Sequence, residues 1–156
     1  MRFRLLLATA LSSAIVGCNA GGTEPSAPLI DCSTLATSLA ANASTLTTTA
    51  SGLQYRDVTV GTGATYATGT TVSVRYAGCL TSGARFDSNE PPKNVISFKL
   101  GSGAVIKGWD EGLVGMKVGG RRQLVIPPSL GYGAVANGPI PANSTMVFTV
   151  DAISTP

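Results

Sequence analysis

The run TTVSVRYAGCL, residues 70–80, alternates so regularly that a half-buried strand is the reading it supports. Val72, Val74, Tyr76, Gly78 and Leu80 fall on one face; Ser73, Arg75, Ala77 and Cys79 fall on the other. Such a strand needs neighbours, and the later sequence supplies them. GLQYRDVTVG reads as a strand ending at Gly61, and VISFKL puts Ile96, Phe98 and Leu100 on one face. RRQLVI stops at Pro127-Pro128, which cannot donate ladder hydrogen bonds. TMVFTVDAI is the last strand, with Met146, Phe148 and Val150 on one face. Ile106, Trp109, Leu113 and Met116 recur at helical spacing, predicting one short helix over about Lys107 to Met116. Several half-buried strands with one helix predict an α+β fold, an antiparallel sheet covering a single helix. The 19 glycines suit turns and short strands.

The chain contains no histidine, which removes imidazole bases, His-based triads and His zinc sites. Its three cysteines, Cys18, Cys32 and Cys79, are too dispersed for a metal cluster. Beyond Arg121-Arg122 there is no basic run and no aromatic interleaving, so nothing points to nucleic acid. Those two arginines read most simply as a strand end with a solvated face.

At the N-terminus, Arg2 and Arg4 precede an apolar stretch from Leu5 to Val16. It is shorter than the ~20 residues a spanning helix needs. Residues 1–17 therefore read as a secretory signal peptide. Ile15-Val16-Gly17-Cys18 resembles a bacterial lipobox, with acylation of Cys18. The alternative is an ordinary signal cut elsewhere, leaving Cys18 a spare thiol. Lipid at Cys18 would anchor the protein without a spanning helix. By analogy with such signals, Asn19 favours the outer membrane, with the domain facing the periplasm. Removing residues 1–17 leaves nine basic against eight acidic residues.

Residues 18–50 read as a tether and N-terminal arm, and 51–156 as the folded domain. The arm is either a short docked helix or plain linker. Leu35 and Leu39 are an i,i+4 pair, and Asp31 or Ser33 suits a helix cap. Two connections, 81–94 and 127–145, are long enough to suggest a functional role.

The runs VSVRYAGCLTSGARFDSN, FKLGSGAVIKGWDEGLVGMKVGGRRQLVIPPSLGYGA and IPANSTMVFTVDAI together resemble the FKBP-type peptidyl-prolyl cis-trans isomerases over roughly residues 51–154. The resemblance implies a twisted antiparallel sheet of about five strands wrapped around one short helix. It implies Trp109 at the floor of a proline pocket, with Tyr76, Phe86, Val105, Ile106 and Phe148 as apolar walls. Tyr132 would direct its hydroxyl at a substrate carbonyl, and Asp87 would set a polar group at the rim. Ile140, before Pro141, would offer its backbone N–H or its side chain from a flap. Ile96 stands where the family often has an aromatic, which softens that wall. The flap looks one residue shorter than in well-known members, and NEPPK replaces a basic residue found in some. Implied partners are proline-containing polypeptides and macrolides such as FK506 or rapamycin, with no cofactor or metal.

The chemistry suits these residue types. Rotation about X–Pro meets a barrier of ~18–20 kcal/mol and is slow enough to limit folding. Twisting the amide removes resonance and lowers the negative charge on its oxygen. An apolar aromatic bowl therefore favours the twisted form relative to water, a differential binding of the transition state. Holding the chain in a turn contributes through orientation.

Each residue has a plainer role beside the functional one. Trp109, Tyr76, Phe98 and Phe148 are core on pattern alone, and Phe98 is kept there. Asp87 in Asp-Ser-Asn is good turn chemistry. Cys32 and Cys79 are either two free thiols or, in an oxidising compartment, a bridge pinning the arm to the outer sheet face. The bridge is the expectation. At the level of function, a membrane-tethered isomerase assisting exported proteins stands against a proline-segment binding module with incidental turnover. A third reading is a surface-exposed interaction protein like the macrophage infectivity potentiators, which dimerise through a long helical region. The short Thr/Ser/Ala-rich arm here predicts a monomer.

Overall fold

The computed structural model describes residues 31–34, 43–91 and 93–155. Cys18, Leu35 and Leu39, and with them the signal peptide, tether and arm-helix expectations, lie outside the described residues. The described strands are β1 (Thr47–Thr48), β2 (Gln54–Thr59), β3 (Thr71–Leu80), β4 (Arg85–Ser88), β5 (Ile96–Lys99), β6 (Arg121–Ile126) and β7 (Met146–Ser154). All pairings are antiparallel, in the order β1-β2-β6-β7-β3-β4, with β5 also on β3.

The sheet thus has two strands beyond the expected five. β4 lies inside the connection read as loop from 81 to 94. Its four residues, RFDS, hold one apolar side chain, too little for alternation to register. A turn at Gly83, φ +89°, folds it back on β3. β1 pairs with Gln54 and Tyr55, so the sheet begins before the expected boundary at Ser51.

One α-helix occurs among the described residues, Lys107–Gly112, shorter than the expected run to Met116. Gly115 adopts φ +80°, and its N–H donates to the Tyr66 carbonyl (2.9 Å), which turns the chain away from the helix axis. The helix lies against β6. A Cβ built on Gly108 would come 2.6 Å from Ile126 Cγ2, and one on Gly112 would come 2.8 Å from Leu124 Cδ2. Only glycine lets the helix nest this closely.

The core gathers Leu53, Tyr66, Val72, Val74, Leu100 and Leu113 with the buried faces of β6 and β7. Tyr66 donates its hydroxyl to the Ser73 carbonyl (2.6 Å), so its polar end is satisfied.

Arg121 and Arg122 do not form a solvated strand end. They are 8% and 6% exposed. Arg121 donates to both carboxylate oxygens of Asp151 (2.6 and 2.8 Å). Arg122 does the same to Asp57 (2.7 and 3.0 Å). Burial is tolerated because each guanidinium is paired in the bidentate geometry that offsets desolvation.

Cys79 is buried on the outer sheet face in a small cluster with Cys32, Val147 and Val125. Cys32 and Cys79 are joined by a disulfide, with Cα atoms 5.7 Å apart across 47 residues. Asp31 accepts from the Ser33 amide (2.9 Å) and hydroxyl (2.7 Å), fixing the short 3-10 turn that presents Cys32. A closed loop of this length stabilises by about 2–4 kcal/mol. Reductant is therefore expected to lower the thermal midpoint by on the order of 10 °C. Thermal unfolding with and without dithiothreitol, alongside thiol titration of unreduced protein, checks this. Two reactive thiols before reduction would refute the bridge.

Candidate functional site

A cavity of about 220 Å³ opens between the helix start and the strands facing it. Trp109, 4% exposed, forms its floor. The helix places it there because Gly108 and Gly112 take up the side facing β6. Tyr76 meets the indole edge-on (ring centroids 5.0 Å, 82°), as does Phe148 from β7 (5.3 Å, 84°). Phe86 from β4 stands edge-on to Phe148 (5.4 Å, 84°). These are the T-shaped arrangements that aromatic quadrupoles favour. Gly78 makes them possible: a Cβ there would come 2.7 Å from the Phe86 ring and 2.8 Å from Phe148.

Val105 and Ile106 line the cavity from the segment entering the helix, with Ile96 from β5 and Tyr132 from the loop after β6. Asp110 shapes that entering segment by accepting from the Gly101 and Gly103 amides (both 2.8 Å). Ala104 also lines the cavity, a residue the sequence reading passed over, since a lone alanine in a Gly/Ser loop gives no signal. Phe98 is not among the lining residues and packs half-buried against Trp109 (ring centroids 5.8 Å) and the core.

Asp87 is the one charged residue among those lining the cavity. The Tyr76 hydroxyl donates to Asp87 Oδ2 (2.5 Å), and the Ser88 amide donates to Oδ1 (2.8 Å). Burial raises the Tyr76 phenol well above its ordinary pKa, and the Asp87 hydrogen bond and charge raise it further. Tyr76 is therefore a neutral donor throughout the physiological range. The Trp109 Nε1 atom is buried with no hydrogen-bond partner.

Of the residues anticipated for the pocket, Ile140 alone is not among those lining the cavity. Its side chain is buried in the main core, and its amide donates to the Asn137 carbonyl (3.0 Å). Reciprocal bonds between Asn137 and Ile140 close a tight turn at Gly138-Pro139, which engages the N–H, one of the two groups expected to meet substrate, the other being the side chain. Among the described residues, no group of three or more His, Cys, Asp or Glu side chains is placed to hold a metal ion.

Sheet, helix and cavity together define an α+β domain with an aromatic bowl between its single described helix and its strands. The chain belongs to the FKBP-type peptidyl-prolyl cis-trans isomerase family, whose sequence profile matches residues 63–153. It is 52% identical over 87 residues to FK506-binding protein 1 of Dictyostelium discoideum, covering 55% of this chain and 81% of that protein. It is likewise 52% identical over 99 residues to FK506-binding protein 4 of Gibberella zeae, covering 64% of this chain but only 20% of that longer protein. Among solved structures, AtFKBP13 superposes with a TM-score of 0.67 at 34% identity, over 71% of this chain and 98% of that one. FkpA from Escherichia coli gives 0.66 at 40% identity, over 71% and 51%.

Proposed function

We propose that residues 51–156 catalyse cis-trans isomerisation of X–Pro bonds in polypeptides. The observation that carries this reading is the bowl itself: Trp109 beneath edge-on Tyr76 and Phe148, with the Tyr76–Asp87 pair at its side. The proline ring sits on the indole, and the carbonyl before it rotates against an apolar wall. A dry wall disfavours the more polar planar amide relative to the twisted one, lowering the barrier. The Tyr132 ring, 39% exposed, stands at the mouth, where its hydroxyl can donate to a substrate carbonyl. FK506 or rapamycin fits the same bowl as a competitive occupant.

Asp87→Ala is expected to lower kcat/KM about tenfold, equivalent to ~1.4 kcal/mol of transition-state stabilisation. Asp87 is exposed, so the thermal midpoint should barely move. A protease-coupled proline-peptide assay, with and without FK506, measures it. No acceleration by the wild-type protein, with intact binding of proline peptides, would replace the enzyme reading by a binding module.

The wider setting is part of the same proposal: an exported monomer, lipid-anchored at Cys18 to the outer membrane and facing the periplasm, where it assists folding of exported proteins. Its support is the pattern of residues 2–18, with Arg2 and Arg4, the apolar stretch and the lipobox-like end at Cys18. Fatty-acid labelling tests it; an unlabelled mature chain retaining Gly17 overturns it.

A further inference from the structure

Asn89 stands where β3 changes partner. On the side away from β7, β3 pairs with β5 from Thr71 to Val74 and with β4 from Ala77 to Cys79. Between the two registers, the main chain at Tyr76 faces that side with neither strand opposite. Asn89 fills the gap. Its amide donates to the Tyr76 carbonyl (3.1 Å), and the Tyr76 amide donates to Asn89 Oδ1 (2.6 Å). Asn89 Nδ2 donates to the carbonyls of Val74 (3.0 Å) and Asn94 (3.2 Å). One residue, 5% exposed, thus stands in for the missing rung of the ladder.

The residue held by that rung is the one whose hydroxyl meets Asp87. β4 reaches Asp87 two residues before Asn89, so a single splice sets both ends of the Tyr76–Asp87 hydrogen bond. Neighbouring bonds keep the splice closed: Arg85 pairs with Glu90, and Lys93 Nζ donates to the Ser88 carbonyl (2.7 Å).

We propose that Asn89 is a positioning residue of the isomerase pocket, fixing β3 at its partner switch so that the Tyr76 hydroxyl is held against Asp87. This rests on the isomerase reading. A core residue with only a structural role would affect stability wherever it sat. Asn89 acts through one hydroxyl, which makes its effect separable by a double-mutant cycle.

The experiment compares Asn89→Ala in the wild-type and Tyr76→Phe backgrounds. In the wild-type background kcat should fall about tenfold with KM within about twofold. In the Tyr76→Phe background the further loss should be under about twofold. Hydrogen exchange at the Tyr76 amide should accelerate at least about tenfold, while the Leu124 amide in the core stays protected. If Asn89→Ala does not fold, Asn89→Ser, which also cannot span the gap, takes its place in the same cycle. Equal losses of kcat in both backgrounds, or unchanged exchange at Tyr76, would overturn the proposal. A wild-type protein without isomerase activity would instead bring down the functional reading, and the Tyr76 amide alone would then decide whether Asn89 holds the strand.

Discussion

Arg122→Met should destabilise the domain by about 3 kcal/mol, at the lower end of what removing one partner of a buried ion pair costs. The guanidinium does three things at once. It pairs with Asp57 through Nε and Nη2, and its Nη1 donates to the carbonyls of Gly112 (2.8 Å) and Val114 (3.0 Å). It also lies 4.7 Å from the centre of the Tyr55 ring. The two carbonyls belong to the last helical residue and to the turn just beyond it, where intrahelical donors have run out and a cation is favoured. Methionine fills the volume of the side-chain stem but donates to neither carbonyl. Asp57 keeps some access to water, which places the estimate near the bottom of the range rather than the top. Against a total stability of about 5–15 kcal/mol for a domain, the loss is large. Urea unfolding of wild type, Arg122→Lys and Arg122→Met measures it. Lysine should fall between, since a point charge cannot reproduce the bidentate fork. A methionine variant within 0.5 kcal/mol of wild type, well below the ~3 kcal/mol forecast, would mean that the clamp contributes nothing to stability.

Gly112→Leu should cost about 3 kcal/mol, the upper part of the range for overpacking a core. The first added carbon alone would come 2.8 Å from Leu124 Cδ2 and 3.1 Å from Leu53 Cδ2. Both leucines are fully buried and have no free space to retreat into. Three further carbons must then be placed, and the helix can yield only by lifting away from β6. Trp109 rides on that helix, so isomerase activity should fall together with the thermal midpoint. Gly112→Ala should be intermediate in both. An unchanged melting temperature for the leucine variant would show that the close approach of helix and sheet is not required.

Much of this architecture can be read from the chain because it is written in local patterns. The alternation from Thr71 to Leu80 reflects the strand pleat, and it places Tyr76 on the pocket side and Cys79 on the outer side. Trp109 is found by helical spacing, and its setting by the motif around it. β4 escapes the same reading because Phe86 is its one apolar residue. For Ile140, flanked by Gly138, Pro139 and Pro141, the sequence marks a flap but not the surroundings of the side chain. Its burial depends on how a tight turn at Asn137 folds over the core.

Arg121 and Arg122 show where local patterns stop. Two adjacent charges read as solvated, and their partners are invisible nearby: Asp151 is 30 residues away and Asp57 is 65. Asn89 looks like turn chemistry until β3 is seen to change partners above it. The sequence by itself determined five of the seven described strands, which of their faces are apolar, and that one Trp-bearing helix lies among them, because those properties follow from the periodicity of the backbone. Only the tertiary structure decided which carboxylate meets each guanidinium and which side chain completes the ladder at Tyr76. Hydrogen-bond and ion-pair partners depend on which strands become neighbours, and that is settled by the whole sheet closing around its core.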